Sequence, residues 1–244
     1  MNNYDINIRP FGSHAILMEW PNRVEESILE DILEFISVLK TKVNIAEWET
    51  VPAYNSLTLI CRKQAIPFEE LKKQLQIWYN EENSVVKTER FLWRLPVCYD
   101  LDFGIDLLEV SEQLGMSIAQ VIEMHTSHKY TVYGIGFLPG FMYLGGLPKE
   151  LEVQRKNTPR LKVTKGSVGL AARQTGIYPQ ESPGGWNIIG NCSVPMFDAD
   201  ADTPCFVSVG DQVQFYAIER AEYDLHMIEA EVGIYKREKI PIHA

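Results

Sequence analysis

GSVGLAARQTGIYPQESPGGWNIIG, residues 166–190, sets short β-branched and aromatic runs between glycines and prolines. Inside a helix, glycine costs about 1 kcal/mol and proline about 3 kcal/mol relative to alanine, so this stretch argues against helices. Frequent turns between short apolar runs point to a barrel or sandwich. The texture extends outward on both sides. Residues 134–190 hold 11 of the 16 glycines and five prolines, and YTVYGI, CFVSV and QVQFYAI flank them as further strands. The C-terminal part therefore reads as mostly β. Its tail after Val232, carrying Lys236, Arg237 and Lys239, reads as an exposed terminal strand or arm.

Upstream the periodicity changes. Two short helices are expected before the β region, one starting at Asp106 and one over SIAQVIEMH, where Ser117 and Gln120 form a capping-box pattern. Further back, residues 5–18 suggest two strands around Pro10-Phe11-Gly12. A helix follows with Val24, Ile28, Ile32, Ile36 and Leu39 at helical spacing, Asn22 as its cap and Glu25 at the capping-box position. Strands at 47–52 and 56–61, a helix starting near Pro67, and a strand-like FLWRLPVCY at 91–99 complete the first hundred residues. That order, β-β-α-β-β-α-β, suits a small α+β domain of split βαβ, ferredoxin-like type. The polar link Asn80–Lys87 marks the boundary, giving domains at 1–88 and 89–244. A chain of 244 residues suits one large domain or two small ones, and no fixed-period repeat is present.

Lys and Arg number 23 against 33 Asp and Glu, a net charge of −10, which disfavours nucleic-acid binding through phosphates. The N-terminus lacks a signal-peptide pattern and no stretch approaches 18 apolar residues, so a cytoplasmic protein is expected. Cys61, Cys98, Cys192 and Cys205 show no metal spacing and read as reduced thiols. Within this acidic chain, residues 149–173 carry seven basic residues (Lys149, Arg155, Lys156, Arg160, Lys162, Lys165 and Arg173) against Glu150 and Glu152. Such a cluster suits a small carboxylate or phosphate ligand, or equally an acidic partner surface or a solvated face.

Nucleotide signatures fail: Lys165-Gly166-Ser167 lacks the preceding glycine loop, and Gly134-Ile135-Gly136 runs into Phe137-Leu138-Pro139. His125 and His128 are spaced i, i+3 but no third metal ligand is evident, so no metal site is expected. Neither Ser167 nor Ser182 sits in a nucleophile elbow, and Ser182 can simply close its turn. Three segments stand out as loops able to build one site. They are GFLPGFMYLGG (136–146), with Pro139-Gly140 favouring a type II turn beside Phe137, Phe141 and Tyr143; GSVGLAARQTGIYP (166–179); and SPGGWNIIG (182–190), where Trp186 can wall a pocket. The bland reading is barrel corners and a core tryptophan.

YTVYGIGFLPGFMYLGGLP, TPRLKV, GSVGLAARQTGIYPQESPGGWNIIG and MFD together resemble the B-subunit family of 5-oxoprolinase, also known as the KipI or allophanate hydrolase subunit 1 family. RPFGSHAILMEW, VPAYNSLTLI, PVCYD and EMHTSHKY fit as well, so the resemblance covers nearly the whole chain. Departures fall in the basic patch: Thr164-Lys165 stands where the family has proline-alanine, and Val-Gln-Arg-Lys (153–156) where it has a proline-arginine pair. The resemblance implies a cyclophilin-like barrel after the α+β domain. It also implies ATP-dependent opening of 5-oxoproline (pyroglutamate) to L-glutamate, shared with two other components. One is the KipA-like C component (allophanate hydrolase subunit 2) and the other the LamB/YcsF-like A component. ATP, with magnesium, would serve the complex rather than bind tightly to this chain alone. On this reading Arg160, Lys162 and Arg173 supply positive charge, and Arg160 with His125, the proton-transfer candidate, forms the catalytic pair. Gln174, Thr175 and Tyr178 hydrogen-bond the lactam, Phe141 and Trp186 enclose the ring, and Tyr143 and Ser182 complete the binding set. The same family resemblance leaves open a sensor histidine kinase inhibitor, or a subunit of a urea or amide carboxylase or allophanate hydrolase system.

Overall fold

The computed structural model describes residues 4–44, 46–81 and 89–242. Its contacts group into two compact units, one up to Glu89 and one from Arg90 onward. Most of the expected Asn80–Lys87 link, residues 82–87, lies outside the described residues.

The first unit begins with β1 (Asn7–Pro10) and β2 (Ala15–Glu19), then α1 (Glu26–Lys42), β3 (Trp48–Ala53), β4 (Ser56–Cys61) and α2 (Phe68–Asn80). The strands form an antiparallel sheet in the order β1-β2-β4-β3. In β2 and β4 every second residue is buried, so a single sheet face is apolar. Ile16, Met18, Leu57 and Leu59 on that face meet Ile28, Ile32, Phe35 and Leu39 of α1 and Leu75 and Tyr79 of α2. Asn22 does not cap α1. Residues 23–25 lie outside the helix, and Glu25, in extended conformation, occupies the cap position without a side-chain capping bond, which leaves Asn22 too far back to reach the first helical N–H groups.

The second unit contains β5 (Arg90–Cys98), α3 (Leu107–Leu114), α4 (Ile118–Ser127), β6 (Lys129–Ile135), β7 (Met142–Gly145), β8 (Arg160–Val163), β9 (Ser167–Ala171), β10 (Gln174–Ile177), β11 (Ser182–Gly184), β12 (Asn187–Asn191), β13 (Gln212–Ile218), α5 (Arg220–Glu231) and β14 (Glu238–Ile242). Seven of these strands close a barrel in the order β12-β9-β10-β7-β6-β13-β5, with β5 returning to β12 through Asn191 and Cys98. β14 is added outside β5, and β8 with β11 forms a separate two-stranded antiparallel sheet. The 91–99 strand, read from sequence as ending the first α+β run, instead joins this barrel. It runs parallel to β13, and its Leu95 and Val97 are fully buried among the barrel's side chains. Leu107, Val110 and Val121 of α3 and α4 enter the same core as Val132, Leu144, Val168, Leu170 and Ile177. The Ser117–Gln120 capping box is present at the start of α4. Helix α5 has no counterpart in the sequence reading; Tyr223 is its buried residue. Cys61, Cys98 and Cys192 are buried and Cys205 is half-buried, all as free thiols. Among the described residues no helix is long and apolar enough to cross a membrane.

Candidate functional site

The aromatic side chains of the three loop segments converge on the barrel's flank. Strand alternation turns Val168, Leu170 and Ile177 inward to the main core, while Ala171, Tyr178, Trp186, Ile188, Phe141 and Val163 form a second apolar cluster. Phe141 stands at its centre, edge-on to Tyr143 (5.0 Å), Tyr178 (5.4 Å) and Trp186 (5.5 Å), the geometry that ring quadrupoles favour. Phe137, 5.7 Å from Phe141, is 66% exposed and has a positive φ of 69°, an uncommon backbone state for an aromatic residue. The expected Pro139-Gly140 turn is present: Gly140 has φ 80° and the Phe141 N–H donates to the Leu138 carbonyl at 3.0 Å.

Trp186 lies close against the strands because small residues leave room beneath it. A Cβ at Gly176 would stand 2.8 Å from the Met142 carbonyl oxygen and 3.1 Å from the Trp186 ring. Gly176→Val is therefore expected to displace the indole and cost about 1–3 kcal/mol in urea unfolding. Gly136→Ala, where a Cβ meets nothing within 4 Å, serves as the near-neutral control.

The basic patch divides. Arg155 places its guanidinium 5.9 Å from the Trp186 ring centroid. Arg160 grips Asp106 with two bonds, Nη1 to Oδ2 at 2.9 Å and Nη2 to Oδ1 at 2.5 Å. Lys156 joins the same carboxylate at 3.0 Å and reaches Glu109 at 2.5 Å. Asp106 also accepts the Ile188 N–H at 2.7 Å, tying α3, β8 and β12 together. Burial alone would push the Asp106 carboxyl up. The Arg160 bonds, the Ile188 N–H and Lys156 outweigh it and hold the carboxyl below its ordinary range. Lys162 forms an exposed ion pair with Glu181, and Arg173 stands exposed in the β9–β10 turn beside Ala172, whose φ is 50°.

His125 occupies a different place. It is fully buried, with Nδ1 bonded to the Tyr99 hydroxyl at 2.7 Å, Nε2 to the Thr175 hydroxyl at 2.9 Å, and its ring stacked on Phe215 at 4.6 Å. Burial pushes its pKa down to about 3, with a smaller contribution from His128, so the ring is neutral at ordinary pH. Thr175 is wholly buried with it and also bonds the Gly169 carbonyl at 3.2 Å. Gln174 is half-buried where β10 begins, opposite Ala171. Ser182, also buried, turns its hydroxyl to the Pro183 carbonyl at 3.3 Å.

The structure thus brings Phe141, Tyr143, Tyr178 and Trp186 together. It holds His125 and Thr175 in the interior and leaves Lys162 and Arg173 on the surface. Burial pushes the Tyr178 hydroxyl's pKa up, opposed by a backbone bond from Trp186 and by the charges of Arg155 and Arg160. Sequence reasoning missed Asp106 as the partner of Arg160 and Arg155 as the cation over Trp186. The 165–169 segment does not fit a phosphate cradle for ATP. The N–H groups of Gly166 and Ser167 are donated to the Tyr178 and Thr164 carbonyls at 2.8 and 3.2 Å rather than left open to a ligand.

Residues 6–207 match the family model of the carboxyltransferase domain, subdomains C and D. A protein of Escherichia coli O157:H7, named as the B subunit of 5-oxoprolinase, is 37% identical over 84% of this chain and 92% of its own length. The chain belongs to that family, the B subunits of 5-oxoprolinase. The crystal structure of TTHA0988 matches with a TM-score of 0.72 at 31% identity over 87% of this chain, which spans 40% of that one. The urea carboxylase of Kluyveromyces lactis shares the fold, with a TM-score of 0.78 at 18% identity over 98% of this chain and 24% of its own.

Proposed function

We propose that this chain is the B subunit of an ATP-dependent 5-oxoprolinase, acting in the cytoplasm with KipA-like and LamB/YcsF-like components to open 5-oxoproline to L-glutamate. The observation that carries the reading is the near full-length similarity to a relative bearing that name. The flank cluster supports it chemically. A five-membered lactam bearing a carboxylate suits an aromatic wall for the ring and a guanidinium for the charge, and Tyr143, Trp186 and Arg155 provide both. Arg160, already bonded to Asp106, positions the paired strands β8 and β11. His125, with both nitrogens engaged, orders Thr175 and the strand that carries it. The chain does not work alone, because its glycine-rich segment offers no phosphate cradle and ATP is left to the complex. Units 1–88 and 89–244 are the two domains. The first is of split βαβ type, supported by β4 lying between β2 and β3 while α1 connects them, and the second is a cyclophilin-like barrel.

The test follows glutamate formed from 5-oxoproline and ATP, with this chain supplied alone, with the other components, or omitted. Product appearing only in the complete mixture is expected; turnover without this chain, or none from an assembled complex, rejects the proposal. In the active complex Arg155→Ala is expected to lower kcat/KM by about tenfold to a hundredfold. Lys162→Ala, which breaks only an exposed pair, should stay within about twofold. Equal losses would remove Arg155 from the binding role.

A further inference from the structure

Apart from the aromatic cluster's face on Phe141 and Trp186, a cavity of about 540 Å³ opens between the loop after β12, helix α5 and the turn before β14. Small-molecule sites commonly measure about 300–1,000 Å³. Val194, Met196, Met227 and Tyr235 give it an apolar wall. Ser193 lines it at 3% exposure, and its hydroxyl has no hydrogen-bond partner among the described residues. Its oxygen is closed to solvent, so a rotation about the Cα–Cβ bond is needed to turn it into the cavity, where a bound polar atom would offset the roughly 1–3 kcal/mol that an unpaired buried hydroxyl costs. Two further residues lining the cavity carry uncommitted charge. Lys165 and Glu231 are both exposed, and neither is ion-paired among the described residues, with each other or with any third side chain. The remaining charges are engaged: Arg237 donates to the Pro195 carbonyl at 3.1 Å and covers the Phe206 ring at 4.4 Å, and Asp198 accepts the Asp200 N–H at 3.0 Å.

An ammonium and a carboxylate that line one cavity without meeting leave room for a molecule carrying both signs. We infer that this cavity binds a free α-amino acid with an apolar side chain. Its carboxylate faces Lys165, its ammonium faces Glu231, its side chain lies against Met196, Met227 and Tyr235, and Ser193 supplies the neutral hydrogen bond. The cavity shares Tyr178 with the aromatic cluster but includes none of Tyr143, Arg155 and Trp186, so either role can fail without the other.

Isothermal titration of the full chain with L-methionine tests it. Saturable binding is expected, at least about tenfold tighter than that of N-acetyl-L-methionine, which lacks the ammonium, or L-methioninamide, which lacks the carboxylate. Lys165→Gln and Glu231→Gln, both at exposed positions, should each weaken binding by about tenfold or more with circular dichroism unchanged. Ser193→Ala should weaken binding while leaving the ligand-free protein at least as stable, since it removes an unpaired hydroxyl. The inference is overturned by the absence of saturable heat with L-methionine, L-leucine and L-phenylalanine. It is equally overturned by equal affinity for the acetylated compound, by tighter binding of L-glutamate, or by indifference to both charge variants.

Discussion

Asp106→Ala is expected to lower the stability of the second unit by about 3 kcal/mol or more, because it strands charges and a buried N–H that share one acceptor. The carboxylate is 2% exposed and takes bonds from Arg160, Lys156 and the Ile188 N–H. For a chain of this size the loss corresponds to a fall of roughly 6–12 °C in Tm. Urea unfolding of the full chain measures it directly. A change under about 1 kcal/mol would mean that these contacts behave as an ordinary surface pair and that the β8–β11 strand pair is held elsewhere. Acid provides a second reading. Because the folded carboxyl titrates below its ordinary value of 3.8, its contribution is complete above that pH and disappears as pH falls through the lowered value. The gap between wild type and Asp106→Asn should therefore stay constant from neutral pH to about pH 5 and close only below about pH 4.

His125 gives the opposite window. Its folded pKa of about 3 lies far below the ordinary 6.5, so between those values the unfolded chain holds a proton that the folded chain refuses. Stability is complete above about pH 6.5 and should decline by about 1.4 kcal/mol per pH unit below it, reaching roughly 2 kcal/mol at pH 5. His125→Gln removes that titration while keeping a hydrogen-bonding side chain. It should be weaker at neutral pH, where the Tyr99 and Thr175 bonds are disturbed, yet lose less on acidification. Parallel pH profiles for the two proteins would show that the imidazole takes up its proton without unfolding. That result would restore His125 as a group able to exchange protons in place.

What sequence could and could not foresee follows the range of each interaction. The Ser117–Gln120 cap, the Pro139-Gly140 turn and the strands around the glycines depend on neighbours within a few residues, and their signals are local. The aromatic cluster was legible because loop sequences rich in glycine place large rings beside small residues, as Trp186 against Gly176. Asp106 looked like a helix start because acidic residues favour that position; its actual partner Arg160 lies 54 residues away, and no local pattern announces such a pair. His125 shared its helical spacing with His128, and spacing alone did not reveal that Phe215, from a distant strand, would cover the ring. Helix α5 was hidden by its own composition: in RAEYDLHMIEAE charged residues surround a lone buried Tyr223, so no broad apolar stripe stands out.

β5 receives the chain at Arg90, and β14 lays Ile242 beside that same residue. The strands β5 and β14 thus lie side by side, with β14 acting as a clasp over an edge of β5 that would otherwise template pairing with another molecule. A module whose two ends abut can be spliced into a longer polypeptide, or opened at another loop and rejoined there, without unthreading its hydrogen-bonded ring. Cutting the chain before Glu238 would do the reverse, freeing the edge of β5 and converting a self-contained cassette into an oligomerising one.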